Sequence, residues 1–403
     1  MIKRDFIITS QQNWDIEIGS TINNTTLELS KNNRVLYLNT PLDHISLLKG
    51  EDNYSYRHRL DVIKGRTSAL RQVNKNLWIV DCPFSVFSVN QLPAWLFNVF
   101  NEINNKKIAN RILAAITELG FSDCIHIIDT DIYRSFYLKE LIKPSVSIYY
   151  CRDFVLNNPY WKRHGRRLEP LLAAKSDIVI TNSTYFAEHF SHYNPHTYPI
   201  ETGVNLVLYD SSKPWAIPED LASIPHPIIG YVGALASSRL DGELLYKMAQ
   251  ERPNYNFVFV GPEDEKFTQL PLHQLKNVYF LGKKPMETLP AYITGFDVCI
   301  NPQKVNEITD GNYPLKIDEY LAMGKPTVAT STHTMRDIFS RHVFLANTLE
   351  EYLYHIDEAL TEVKDEVKRN NRIDFAHTHS WGHSVEKIYK IIDQFQTNKN
   401  NNS

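Results

Sequence analysis

The sequence predicts an α/β chain of two doubly wound, mostly parallel sheets. Three observations predict it. At 403 residues the chain is too long for one small core, and its composition, 43% hydrophobic and 22% charged, is ordinary for a globular protein. Short apolar runs alternate with helical stretches, the pattern of parallel-sheet units. The alternation restarts near residue 228 after a stretch bearing Pro214, Pro218 and Pro225. The expected division is a first domain over 1–205, a linker over 206–225 and a second domain over 226–380. A helix over 381–396 and a disordered polar tail over 397–403 would complete it.

The apolar run Asp5-Phe6-Ile7-Ile8-Thr9-Ser10 reads as a strand that delivers a polar loop, 11–15. Ligands of open parallel sheets lie beyond the carboxyl ends of strands, which makes Ser10, Asn13 and Trp14 candidate site residues. An exposed loop with Trp14 capping the core is the competing account. A helical stretch through Leu29 leads to a second strand at 34–39. Residues 51–75 are basic, with Arg57, Arg59, Lys64, Arg66 and Arg71, and poorly periodic, in keeping with an inserted hairpin. Ile108, Ile112, Ala115 and Ile116 share one helical face that Gly120 ends.

The strand at 125–128 runs into Asp129-Thr130-Asp131. Paired carboxylates there suit a divalent cation, but strand-end turns commonly contain Asp, and no metal site is assigned. His126 reads as a satisfied core histidine. The strand at 146–150 is followed by Arg152-Asp153, for which a strand-end salt bridge is one account. The second half repeats the pattern, with strands at 228–233, 257–263 and 278–282 and a helix over 241–249.

The stretch 298–330 organises the chain. A buried strand ends in Asn301-Pro302, a turn-rich loop follows, and Pro314 opens a helix that Gly324 and Pro326 close. Ile317 and Leu321 share its buried face, and Lys316 and Glu319 share another. A lysine in a first turn opposes the helix dipole, and an anion bound at the helix N-terminus would compensate it. A carboxylate one turn on can accept from a vicinal diol, so phosphate plus diol suggests a nucleotide. A capped helix with an exposed Lys–Glu pair accounts for the short motif equally well.

Asn-Pro, loop, then Pro314-x-Lys316-x-x-Glu319-Tyr320-Leu321-Ala322-x-Gly324-Lys325-Pro326 resembles the donor-site helix of retaining GT-B-fold glycosyltransferases. That broad family includes sucrose synthase and bacterial surface-polysaccharide transferases of capsule and teichuronic-acid type. The similarity extends to Asp177 with the strand after it and to Gly203-Val204-Asn205, Gly233 and Gly261-Pro262. It implies a UDP- or GDP-sugar donor held by Gly233, Arg239, Gly261, Pro262, Asp310, Gly311, Asn312, Tyr313, Leu315, Lys316 and Glu319. The resemblance implies transfer chemistry near Arg152, Asp153 and Lys316, with Ser10, Asn13, Trp14 and Asp131 on the acceptor side. It further implies two Rossmann-like domains facing a cleft and a C-terminal helix over 381–396 that crosses back to the first domain, and it implies no cofactor or metal. The leaving phosphate would take the acceptor proton on the same face of the sugar.

Two departures stand out. Gly311 occupies the position eight before Glu319, where relatives often carry Glu, and Asp310 or the amides of Gly311 and Asn312 would substitute. Arg152-Asp153 stands where a His is frequent. They leave two alternatives open, a GT-B-type nucleotide-sugar 2-epimerase and a non-catalytic partner subunit.

The fifteen glycines form no Gly-x-Gly pair, which excludes the dinucleotide fingerprint. The four cysteines lack metal-ligand spacing and read as buried thiols. A net charge of −3 argues against nucleic acid, and no run reaches the ~18 apolar residues of a membrane span. The expected location is cytoplasmic. The first 205 residues carry 23 Lys and Arg against 20 Asp and Glu, while the remainder carry 20 against 26. The half that the resemblance makes the acceptor side is thus the positive one, and its run at 160–167, with Trp161 beside Lys162, Arg163, Arg166 and Arg167, suggests peripheral contact with an anionic inner leaflet. A glycan or lipid-linked sugar acceptor fits that placement, and a solvated helix start is the plainer account.

Overall fold

The structure, a computed structural model, describes residues 3–15, 20–307 and 309–401. It divides into two compact units, Met1–Ile200 with Val385–Ser403, and Glu201–Ser384.

The first unit is built on β1 (Asp5–Ser10), β2 (Arg34–Leu38), β3 (Leu70–Asn74), β4 (Leu77–Val80), β5 (Ile125–Asp129), β6 (Val146–Cys151), β7 (Ile178–Thr181) and β8 (Thr197–Pro199). They form one sheet in the order β3-β4-β2-β1-β5-β6-β7-β8, parallel except for the β3–β4 hairpin. Every residue of β1, β5 and β6 is buried, as expected of parallel strands covered on both faces. The order reverses between β1 and β5, so the loops after these strands diverge around a switch point.

The second unit holds β9 (Ile228–Val232), β10 (Asn256–Val260), β11 (Val278–Gly282), β12 (Val298–Asn301), β13 (Thr327–Thr330) and β14 (Phe344–Ala346). All are parallel, in the order β11-β10-β9-β12-β13-β14, with the reversal between β9 and β12. The doubly wound expectation holds for both units.

Several local expectations change. Residues 206–225 do not form a free linker: Tyr209, Leu221 and Ile224 are buried with Ile228 and Tyr292 in the core of the second unit. Prolines there shape a packed strap rather than a spacer. The tail does not end in disorder at 397, because the helix Trp381–Asn401 continues through it, while 402–403 lie outside the described residues. Residues 51–75 are a helix, Tyr54–Ile63, followed by the hairpin strand β3. The helix expected near Ile108 starts about four turns earlier, spanning Ala94–Leu119, with Gly120 left-handed at φ 62°. Its first turns expose apolar side chains, which blurs the periodicity.

Within the first unit Val385, Ile388, Tyr389 and Ile392 pack into the cluster of Phe6, Ile8, Ile22 and Leu29. Each buried aliphatic side chain there is worth about 1.5–3 kcal/mol.

Candidate active site

At the switch point of the second unit, two loops are tied together beyond the carboxyl ends of β9 and β12. Asp241 N–H donates to the Pro302 carbonyl at 3.0 Å, Lys304 N–H to the Arg239 carbonyl at 2.8 Å, and Lys304 Nζ to the Ser237 carbonyl at 2.8 Å. Arg239 is thereby carried close enough to Lys316 to disfavour its charge, and its own side chain remains exposed.

Lys316 sits in the first turn of the helix Leu315–Ala322, with Pro314 as the capping residue. Its Nζ lies 4.0 Å from the centre of the Tyr231 ring and donates to the Tyr231 hydroxyl. Burial pushes its ammonium down to about 7, opposed by Glu319 and assisted by Arg239. A cation this poorly solvated beside a second cation is poised for an anion, and the first-turn amides of the helix add to the attraction.

Gly233 and Gly261 make the approach available. They hold φ of 139° and 153°, which favour glycine. A Cβ at Gly233 would come 2.7 Å from Lys316 Nζ, and one at Gly261 2.0 Å from the Gly233 carbonyl oxygen. Beside them Leu235 N–H donates to the Pro262 carbonyl at 2.8 Å.

Glu319, one turn on, accepts from the Tyr209 hydroxyl, and burial raises its carboxyl to about 7. The helix is locked from behind. Tyr320 offers its hydroxyl oxygen to Val232 N–H at 2.8 Å, and Asp318, fully buried, accepts from the Tyr313 hydroxyl at 2.5 Å and pairs with His379 Nδ1 at 2.8 Å. Tyr313 is thus a buried support for the helix. Asp310 gives one oxygen to His333 N–H at 2.7 Å, so it anchors its loop. Asn312 is buried, and its side-chain oxygen has no hydrogen-bond partner among the described residues. Leu315 is part-buried against the core, and Gly311 continues the same loop. Lys316, Arg239, Glu319, Gly233 and Gly261 converge.

In the first unit Asp129 is buried with Arg152, whose Nη2 lies 2.8 Å from Oδ2, and accepts from Ser10 Oγ at 2.6 Å. Ser10 Oγ in turn accepts from Gln12 N–H at 3.0 Å. Arg152 and Ser10 are therefore inward-facing residues that fix the loop after β1, a buried pair rather than exposed reacting groups. Asp153 beside them is part-buried. Asp131 bonds Arg134 Nε at 3.0 Å and Ser135 Oγ at 3.1 Å, so the two aspartates turn to different arginines and do not share a cation site. Asn13 Oδ1 accepts from Thr40 N–H and Oγ1 at 2.8 and 2.7 Å. Trp14 packs edge-on against Tyr37. His126 is buried, bonded to Thr9 Oγ1 at 2.9 Å, and burial holds its imidazole down to about 3.

The sequence pattern did not point to Tyr231, Tyr209, Asp318 or His379. Tyr231 precedes Gly233 by two residues on a strand that the motif-bearing helix contacts, a weak signal; Tyr209 lay in the presumed linker.

Two doubly wound parallel-sheet units of this order are the GT-B fold of solved glycosyltransferases. Solved structures sharing it include Anabaena HepE in complex with UDP and glucose, 15% identical with a TM-score of 0.63 over 96% of this chain and 99% of that one. Sucrose-phosphate synthase from Thermosynechococcus elongatus, at 13% identity, gives 0.67 over 98% and 100%. More particularly, residues 226–362, within the second unit, match the family model of glycosyl transferases group 1. A Bacillus subtilis (strain 168) protein described as a teichuronic acid biosynthesis glycosyltransferase, TuaH, is 26% identical over 198 residues, 47% of this chain. The match spans about half of that relative, 49% of its length.

Proposed function

We propose that this chain is a glycosyltransferase that moves a sugar from a nucleotide diphosphate sugar to an acceptor hydroxyl, with retention and without a metal, in surface-polysaccharide synthesis. The observation that carries the proposal is the convergence of a desolvated Lys316 with Arg239 above Gly233 and Gly261, one turn from Glu319. Lys316 and Arg239 would take the charge that grows on the departing diphosphate, which is electrostatic stabilisation of the transition state. Glu319, held by Tyr209, would accept from the ribose diol. The unpartnered oxygen of Asn312 suits a donor-sugar hydroxyl and stands in for the carboxylate that Gly311 replaces. The leaving phosphate would receive the acceptor proton on the face it vacates. UDP-sugars are the first donors to try, because HepE was solved with UDP and with UDP-glucose. A lipid-linked acceptor at the inner leaflet is the finer part of the proposal.

The test is a thermal-shift panel of UDP- and GDP-sugars, followed by product analysis with and without acceptor. A ligand at 100 times its Kd stabilises by about 2.7 kcal/mol. Lys316→Ala and Glu319→Ala should each weaken the stabilising nucleotide by about 1.5–3 kcal/mol while staying folded, since Ile317 and Leu321 carry the core face. Normal binding by both variants would misplace the donor site. Donor consumed fully without acceptor would indicate epimerisation or hydrolysis. Turnover should also survive chelation; loss in EDTA with recovery in Mn²⁺ would overturn metal independence.

A further inference from the structure

The basic run at 160–167 lies on the helix Pro159–Lys175, and the structure places its aromatic differently from the sequence expectation. Trp161 is only 6% exposed, its ring 4.7 Å from that of Tyr133. The four cations Lys162, Arg163, Arg166 and Arg167 all occupy exposed positions. The exposed indole belongs instead to the neighbouring helix, Ala94–Leu119. There Trp95, Val99 and Ile103 are 68%, 52% and 37% exposed and recur every four residues, forming one apolar stripe.

The two helices lie side by side. The His164 ring stacks on Phe97 at 4.0 Å, and Arg167 Nη2 donates to Asn98 Oδ1 at 2.7 Å. Asn98 is one turn from Trp95, so the stripe and the cations share one surface. Among the described residues none of the four cations pairs with a carboxylate. Glu102, beside the stripe, is taken by Lys106, and Glu169 is buried against the Tyr149 hydroxyl.

We propose that this surface of the first unit docks on an anionic lipid bilayer, with Trp95 and Val99 entering the headgroup region and Lys162, Arg163 and Arg166 facing the phosphates. Indoles favour that interface, and basic side chains are drawn to a negative leaflet. A second copy is a poor occupant, because a two-fold contact would set each cation row against its like. A merely solvated helix face would not present three apolar side chains in register beside it.

The experiment is co-sedimentation of the full chain with vesicles of phosphatidylcholine alone or mixed with phosphatidylglycerol, at low and high salt. It reads no transfer, so its outcome is independent of the proposed activity. The parent should pellet with the anionic vesicles at low salt and be released at high salt. Lys162→Gln, Arg163→Gln and Arg166→Gln should each lower partitioning roughly fivefold. Trp95→Ser should lower it further with the cations intact. Arg167 is left in place because it joins the helices, and unchanged melting curves confirm folding of each variant. Equal recovery in the supernatant for parent and variants overturns the proposal. So does concentration-dependent self-association that Trp95→Ser abolishes, which would make the stripe a contact between copies.

Discussion

Lys316 is a cation held where charge is costly, and its titration should report on ligand binding. Its folded value is about 7, well below that of a free lysine. Below about 7 the residue is protonated in both folded and unfolded chains, and the desolvation cost is present in full. As pH rises from about 7 to the ordinary lysine range, the unfolded chain alone keeps the proton, so this group's contribution to stability improves with pH. A bound diphosphate should restore the charge. UDP binding at pH 8 should therefore take up a proton, seen as a dependence of calorimetric heat on buffer ionisation enthalpy, and Lys316→Met should abolish it. A buffer-independent heat in the parent would show that no anion meets Lys316. Gly261 sets a second limit at the same scale. With the Gly233 carbonyl oxygen 2.0 Å from where its Cβ would stand, Gly261→Ala should lower stability by about 1–3 kcal/mol and displace the loop that carries Gly233, as thermal melting and nucleotide affinity would show.

At the level of elements, the helix Leu315–Ala322 has two faces of different legibility. Pro314, Lys316, Glu319 and Gly324 were readable because capping and charge obey local rules. The side that locks the helix was not, because its partners come from distant chain: His379 lies 61 residues after Asp318. Asp318→Asn should leave the Tyr313 and His379 contacts poorly satisfied in a dry site, costing about 1–3 kcal/mol for each lost partner. Chemical denaturation would measure it, and a change under 0.5 kcal/mol would mean that the buried cluster does not hold the helix. The same contrast holds in the first unit. Periodicity announced β1, β5 and β6, whereas the Asp129–Arg152 pair, which turns two candidate site residues inward, depends on how the ends of β5 and β6 meet across 23 residues of chain. The helix at 94–119 was half hidden for the opposite reason, since its exposed Trp95, Val99 and Ile103 carry apolar residues on the face that pattern analysis reserves for polar ones.

Over the whole molecule, the chain leaves the first unit at Ile200 and re-enters it at Val385, so the second unit is an insertion in the first. The ends of that insertion are pinned. Val204 N–H donates to the His379 carbonyl at 2.8 Å, and Ser384 Oγ to the Glu201 carbonyl at 2.6 Å. The fragment Glu201–Ser384 should therefore fold alone and show the same nucleotide-dependent rise in melting temperature as the full chain. A fragment that melts without cooperativity would refute this. The order of biosynthesis follows from the same connectivity. Val385, Ile388 and Ile392, which close the core around Phe6 and Ile8, leave the ribosome only after the whole second unit. The unit translated first is completed second, and its sheet must wait with one apolar face only partly covered, by Ile22 and Leu29, while the whole insertion is made. A message truncated after codon 384 would spare the nucleotide-binding half and strand the other, leaving a product that chaperones and proteases recognise by its N-terminal strands.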